Sequence, residues 1–357
     1  MENYLIIAEL ICIFLSQGAA GTGLLGFFRT FSSVTDRGPL TKRMYLGDRL
    51  LDLHSFKMEG SPENCRKLEA SSKLLHIAVH SSRRNFNRRS AIRRTWGSMK
   101  NYKGWEIAVN FLLGSSPSPG RTQDEIITDV VRNETALHGD VIIGNFVDTY
   151  RNLTYKHLMG YKWLLEFCPE VDVYVKTDDD VFVNIPKVVD WLSKSSLEDH
   201  FYCYVLRGYS PWRSTRYKFY ISKDEYRPDK FPDYCSGVGY ITRPGLLRKL
   251  YGVSMGLKYL WVEDLFATGL LPKYYNDNWD RNHNEDQKGA QVQLRDMSEL
   301  YLNEQYAVYK RWIDDGDSLQ NPWFFILLET KDEHELVLDQ ESLWRKTMGA
   351  FKVDNVH

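Results

Sequence analysis

From residue 74 onward, apolar and polar positions alternate between two rhythms. Leu74–His80 is a short, almost continuous apolar run and predicts a strand. Asn87–Trp96 suits a short helix, with Ile92 and Trp96 one turn apart. Ile107–Leu113 predicts a second strand, halted by Gly114, and Asp124–Arg132 a second helix. Val141–Phe146 reads as a third strand. Leu153–Phe167 carries helical spacing through Leu158, Tyr161, Leu164 and Leu165, and Pro169 stops it. Val171, Val173 and Val175 alternate with polar neighbours and give a fourth strand. Tyr234–Thr242 predicts a strand with glycines and Pro244–Tyr251 a helix. Strand–helix alternation of this kind implies βαβ units, an α/β fold and a largely parallel central sheet flanked by helices. Such sheets bind ligands at the carboxyl ends of their strands.

The flanks are patterned differently. Residues 4–28 are apolar apart from Glu9 and a few small polar positions, long enough to cross a bilayer. Taken in halves, Leu5–Leu15 is instead a signal-peptide core ending near Gly18-Ala19-Ala20. No Lys or Arg precedes the run, and Glu9 sits inside it. The division expected is therefore anchor or signal peptide over 1–28, a polar stem over 29–72, one catalytic domain over 73–280, and a charged extension over 281–357. That extension reads as peripheral helices or a partly disordered tail.

Charge and cysteine content narrow the class. The 46 basic and 47 acidic side chains cancel to −1, which gives no support for a nucleic-acid partner. Cys65, Cys168, Cys203 and Cys235 form no CxxC pair, so zinc-ribbon and thioredoxin motifs are excluded. In an oxidising compartment these four could form two disulfides, with three pairings open. Sequons at Asn133-Glu134-Thr135 and Asn152-Leu153-Thr154 add weak support for the secretory pathway.

The densest chemistry lies in Lys176-Thr177-Asp178-Asp179-Asp180-Val181-Phe182-Val183-Asn184. Three adjacent carboxylates at the end of an apolar strand repel one another unless water or a cation neutralises them. Extended geometry sends Asp178 and Asp180 to one side, where two hard oxygen ligands suit Mg²⁺ or Mn²⁺ with a diphosphate supplying more. A cluster of arginines, Arg83-Arg84, Arg88-Arg89 and Arg93-Arg94, follows the first strand, and Arg89 and Arg93 share a helix face suited to phosphate or base. Glu263-Asp264 sits in the apolar frame Trp261–Phe266, where burial would raise a carboxyl pKa toward general-base use. Tyr234-Cys235-Ser236-Gly237-Val238-Gly239-Tyr240 combines small residues, open to a close ligand, with tyrosines able to stack on a sugar. His76, His80, His138, His157 and His200 lack metal-ligand spacing and read as structural. There is no P-loop, no GxGxxG after a strand and no GxSxG elbow.

Taken in order, seven blocks over residues 74–272 resemble the family 31 glycosyltransferases, the beta-1,3-galactosyltransferase and beta-1,3-N-acetylglucosaminyltransferase group. They are Arg88–Gly97, Phe111–Gly114, Asp140–Ile142, Phe146–Lys156, Lys176–Asn184, Tyr234–Tyr240 and Glu263-Asp264. The resemblance implies a GT-A type fold, a UDP-sugar donor, Mn²⁺ and inversion at the anomeric carbon. It implies Asp180 as the metal ligand, Asp178 and Asp179 beside the nucleotide, and Asp264 as the base. It places Arg89, Arg93 and Trp96 on the nucleotide side, and Asp148 and Lys156 close to the donor. It also implies a glycan acceptor on glycoprotein or glycolipid, and a Golgi, single-pass type II membrane setting with a lumenal catalytic domain. The Cys235–Tyr240 block is more similar to the galactosyltransferase version, so UDP-galactose is the expected donor. The alternatives are a UDP-N-acetylglucosamine donor or a non-catalytic lumenal glycan-binding or chaperone-like relative. Two departures stand out: His157 replaces the usual Thr after Lys156, and the spacing from Asp264 to Gly269 is longer than in many members.

Overall fold

A computed structural model describes residues 55–61, 63–116, 120, 122–282, 291–302, 323–328, 330 and 332–354. The apolar segment 4–28 and most of the expected stem lie outside the described residues. No helix among the described residues is long and apolar enough to cross a membrane.

The strands are β1 (Met58–Glu59), β2 (Lys73–His80), β3 (Asn101–Tyr102), β4 (Trp105–Ser115), β5 (Val141–Val147), β6 (Val173–Asp178), β7 (Val181–Val183), β8 (Phe201–Leu206), β9 (Tyr234–Thr242), β10 (Leu294–Asp296), β11 (Tyr301–Leu302) and β12 (Phe325–Leu327). The helices are α1 (Phe86–Arg94), α2 (Thr122–His138), α3 (Leu153–Phe167), α4 (Ile185–Leu192), α5 (Pro244–Val253), α6 (Leu271–Asn282) and α7 (Glu333–Asp354). The main sheet runs β1-β5-β4-β2-β6-β9-β8-β10, with β3 beside β4. Its centre, β5-β4-β2-β6, is parallel throughout. β9 then turns antiparallel to both β6 and β8.

Strand alternation explains why this sheet needs helices on both faces. Along β2, Leu74 and Ala78 enter one core, while Leu75, Ile77 and Val79 enter the other. The first core is closed by Leu158, Met159 and Trp163 of α3 and by Leu246, Leu247 and Leu250 of α5. The second takes Ile92 of α1, Val131 of α2, Val188 and Val189 of α4, and Leu336 and Leu343 of α7. Gly160 lets α3 lie close on the sheet, because a Cβ there would sit 2.8 Å from Leu112 Cδ1.

The longer spacing after Asp264 has a local explanation. Leu265–Leu270 forms a π-helical turn, and the Leu271 N–H reaches back five residues to the Phe266 carbonyl. A π-turn absorbs one extra residue without breaking the helix, and such turns recur at functional sites.

Both ends of the expected catalytic domain extend further than 73–280. Cys65, in the expected stem, is disulfide-bonded to Cys168 at the end of α3, and β1 pairs with β5. Cys203 is bonded to Cys235, joining β8 to β9. The extension also returns to the domain: β12 pairs antiparallel with β7, and Arg94 meets Glu341 of α7 at 3.0 Å. The apolar run Phe324–Leu328 carries a strand signal, but its partner lies some 140 residues earlier, beyond any local pattern.

Candidate active site

Three parallel strands end around one opening. β2 leads to Ser81 and Ser82, β5 to Asp148-Thr149-Tyr150, and β6 to the acidic turn. Between them lies a cleft of about 400 Å³ lined by His80, Ser81, Ser82, Asn85, Arg88, Asp148, Thr149, Tyr150, Leu153, Lys156, Asp178–Asp180, Lys218 and Glu263. This is where parallel α/β sheets place their ligands.

The extended form expected through Asp180 stops at Asp178, and Asp179-Asp180 forms a turn. The side chains of Asp178 and Asp180 are 35% and 37% exposed, whereas that of Asp179 is 6% exposed. Asp179 is fully occupied: it accepts from Ser81 Oγ at 2.7 Å, Asn85 Nδ2 at 2.8 Å and Arg88 at 3.0 Å. It fastens the turn to α1. Asp178 accepts from Lys176 Nζ at 2.7 Å, and that ammonium also donates to the Gly237 carbonyl at 2.8 Å. Among the described residues, Asp180 has one ion-pair partner, Arg88 at 3.5 Å, besides its own backbone N–H. Its backbone carbonyl accepts from Leu328 N at 2.9 Å, so the C-terminal segment helps to fix the turn.

Charge crowding follows. Burial, then Asp178 and Asp179, push Asp180 up to about 7 despite Arg88. Burial also raises Asp178 against the pull of Lys176. A divalent cation would relieve both, and two hard carboxylates are the donors that Mg²⁺ or Mn²⁺ prefers. Among the described residues, three competent side-chain donors do not converge on this turn. An ion held here would complete its shell with diphosphate oxygens and water, as is common for such ions.

Lys156 and Asp148 also line the cleft, as a buried pair at 2.7 Å. Lys156 donates to the Ser81 carbonyl at 2.5 Å, and Asp148 accepts from the Gly114 N–H at 3.1 Å. Glu263 lines the same cleft as the acidic turn and feels the charges of Lys176 and Asp178. Asp264 stands at the start of the π-turn, accepting from Leu265 N at 2.7 Å, and its other oxygen lies 3.5 Å from where a Cβ on Gly237 would sit. Burial and then Asp264 push Glu263 up to about 8, while burial raises Asp264 to about 6. Burial thus raises both carboxyls, and Asp264 raises Glu263 further, so the pair binds a proton more readily than isolated carboxylates do.

Several expected residues sit elsewhere. Arg89 is fully buried, forked onto Glu134 at 2.8 and 2.7 Å, and donates to Ser81 Oγ at 3.0 Å. Arg93 is spent on Asp140 at 2.8 and 2.7 Å and on Glu134 at 2.8 Å. Neither lines the cleft, and the arginine that does is Arg88. Neighbouring helical positions point about 100° apart, so the i, i+4 pair selects the packed face and Arg88 the open one. Trp96 is also fully buried, in the second core. Tyr234 and Tyr240 are 8% and 1% exposed, so neither offers a free face to a sugar. Asn152 is buried and donates from Nδ2 to the Val147 carbonyl at 2.8 Å, which makes that sequon part of the framework. Asn133 is exposed on α2.

The histidines behave unequally. His157 meets Tyr240 Oη at 2.8 Å inside the first core. His80 lines the cleft with both ring nitrogens unpartnered, and its Nδ1 is 4.0 Å from Asp178. Sequence spacing gave no sign of it, because its cleft position depends on where β2 stops.

Acidic turn, paired acids and open cleft at the carboxyl edge of a parallel sheet define a glycosyltransferase-type enzyme. The family profile described as "Galactosyltransferase" matches residues 87–276, and the chain belongs to that family, the family 31 glycosyltransferases. It is 35% identical over 229 residues to mouse "Beta-1,3-galactosyltransferase 1", covering 63% of this chain and 67% of that one. It is 31% identical over 263 residues to gorilla "Beta-1,3-galactosyltransferase 5", covering 73% and 84%. Among solved structures, a glycosyltransferase involved in glycosylation of the PBCV-1 major capsid aligns over 75% of this chain and 98% of that one, at TM-score 0.35 and 10% identity. The WbbM bifunctional glycosyltransferase aligns over 80% and 52%, at TM-score 0.38 and 12% identity.

Proposed function

We propose that this enzyme transfers galactose from UDP-galactose to a sugar hydroxyl of a glycan on glycoprotein or glycolipid, forming a beta-1,3 linkage with inversion. The observation that carries the reading is that the acidic turn and Glu263 line one cleft, with Asp264 next to Glu263 in the chain. Asp264, ionised at neutral pH, takes the proton of the acceptor hydroxyl as it attacks the anomeric carbon opposite UDP. Glu263, raised by burial and by Asp264, adds a second carboxyl beside it. Asp180, with Asp178, would hold Mn²⁺, which when bound supplies Lewis-acid neutralisation of the departing diphosphate. Arg88 adds positive charge at the same edge. The setting proposed is the Golgi lumen, with residues 4–28 as a type II membrane anchor. Two disulfides favour an oxidising compartment of this kind.

The test is a donor panel of UDP-galactose, UDP-N-acetylglucosamine and UDP-N-acetylgalactosamine with Mn²⁺, with the product anomer read by NMR. Galactose transfer giving a beta product is expected. Exclusive use of another donor, or an alpha product, overturns the donor or the mechanism respectively.

A further inference from the structure

Five of the ten large hydrophobic side chains that stay exposed among the described residues lie in the cleft or in one loop beside it: Tyr150, Tyr209, Trp212, Tyr217 and Phe219. The last four belong to the segment joining β8 to β9 and are each about half exposed. Tyr150 belongs to the cleft itself. Solvent-exposed aromatics scattered singly need no explanation, but a cluster bordering a cleft does.

The segment is held, not loose. Arg213 donates to four backbone carbonyls, those of Ile221 and Ser222 at 2.9 Å each, Tyr226 at 2.8 Å and Pro228 at 2.7 Å. Trp212 forms a β-bridge to Tyr220, and Ile221 is buried as the anchor. Arg151, one residue past the cleft's Tyr150, reaches Glu225 at 2.8 Å and ties the segment to the cleft wall. So the chain spends four hydrogen bonds, three of them part-buried, on fixing this loop while leaving its rings outside. Trp212 and Tyr217 pack against each other with centroids 4.5 Å apart. Phe219 lies 6.3 Å from Tyr150, which lies 5.5 Å from Trp261, two residues before Glu263. Lys218 crosses the Tyr150 ring at 4.3 Å and lines the cleft. The aromatic rim thus runs into the side of the cleft that carries the paired acids.

We infer that this rim is the acceptor subsite, with Trp212 and Tyr217 forming the platform on which a pyranose ring of the acceptor glycan stacks. The inference rests on the transferase reading above. A pyranose has an apolar face of axial C–H bonds and hydroxyls around its edge. Stacking buries that face on an aromatic ring and leaves the hydroxyls for water and for a base. The charged lining of the same cleft, Arg88, Lys156 and the acidic turn, is suited to a charged nucleotide. The rim offers flat apolar faces, and its Tyr150 shares the cleft with Glu263, next in the chain to the proposed base Asp264.

The test uses the full chain with Mn²⁺ and UDP-galactose, and the methyl β-glycosides of galactose, N-acetylglucosamine and N-acetylgalactosamine as acceptors. Trp212→Ala and Tyr217→Ala are compared with the aromatic-preserving Trp212→Phe. Acceptor KM comes from initial rates, UDP affinity from calorimetry, and ring-proton contact from saturation-transfer NMR. The expected result is an acceptor KM raised about tenfold or more in Trp212→Ala, within the range aromatic stacking supplies. Trp212→Phe should recover most of it, with UDP affinity unchanged in every variant. If wild type transfers galactose and Trp212→Ala with Tyr217→Ala keep its acceptor KM, the subsite is wrong and the transferase reading stands. If wild type cleaves UDP-galactose but none of the three glycosides is used or gives saturation transfer, the subsite is again overturned. If wild type turns over none of the three UDP-sugars, the transferase reading falls and takes this inference with it.

Discussion

The two sides of helix α1 carry the same side chain to opposite ends. On the packed side, Arg89 and Arg93 share Glu134 and Asp140 in a closed network in which the described guanidinium bonds are spent on protein. On the open side, Arg88 is divided between Asp179, which is saturated, and Asp180, which is not. Geometry of the partner decides the role: a carboxylate with all its acceptors filled is framework, and one with lone pairs facing a cleft is available for a ligand. Charge alone does not distinguish them.

Substitutions can break this contrast. Arg89→Ala should cost the most stability, about 3–5 kcal/mol, because Glu134 would be left buried without its main partner. Chemical denaturation would read it, and Arg89→Lys should restore little, since a lysine cannot fork. A wild-type midpoint would show the network to be ornamental. Asp180→Ala should do the reverse. Supporting residues around a metal are worth about 10–100-fold in affinity, so loss of a direct ligand should weaken Mn²⁺-dependent UDP binding at least that much. Its unfolding midpoint should hold or rise, because a carboxyl pushed up to about 7 by burial has been removed. The sign follows from a folded pKa above the unfolded one: ionised Asp180 destabilises the metal-free fold increasingly as pH rises from about 4 toward 7.

Arg88→Ala sits between these. Asp179 keeps Ser81 and Asn85, so stability should fall by only about 1–2 kcal/mol, with a few-fold loss of UDP affinity by calorimetry. The acid limb of kcat/KM should fall off below about pH 6 with Asp264 as base, measurable with saturating Mn²⁺. The smallest effect belongs to Arg132→Ala. Its pair with Asp129 is 71% and 68% exposed, and its loss should stay within about 0.5 kcal/mol. A larger change there would mean that exposed pairs in this protein do not follow the contrast.

Legibility in the sequence followed the same division between local and long-range causes. β2, β4, α3 and β9 were readable because their patterns are complete within each segment, and Leu153–Phe167 and Tyr234–Thr242 match their predicted spans residue for residue. The acidic turn was readable because three carboxylates in an apolar frame demand compensation. α4 was missed although Asn184 and Pro186 mark its start, with Asn184 Oδ1 accepting from Lys187 N at 3.4 Å. β8 shows clean alternation from Phe201 to Leu206, yet its place beside β9 depends on a register that no local pattern specifies. Arg88, His80 and Lys218 became cleft residues only through where strands stop and how a distant loop is anchored. The tyrosines of Tyr234–Tyr240 were misjudged for the opposite reason. An aromatic in a strand beside a site is more economically buried, and the aromatics left outside are in the loop held by Arg213.

The central claim is the proposal that Asp264, next to the cleft's Glu263, works as the base while the acidic turn of the same cleft holds the nucleotide. Asp264→Asn in the full chain separates the two halves of that claim, with transfer rate from UDP-galactose and UDP–Mn²⁺ affinity measured on one preparation. The account predicts a kcat lowered by about 10²–10⁴, the usual worth of a general base, at wild-type UDP affinity. Wild-type turnover in that variant would contradict it.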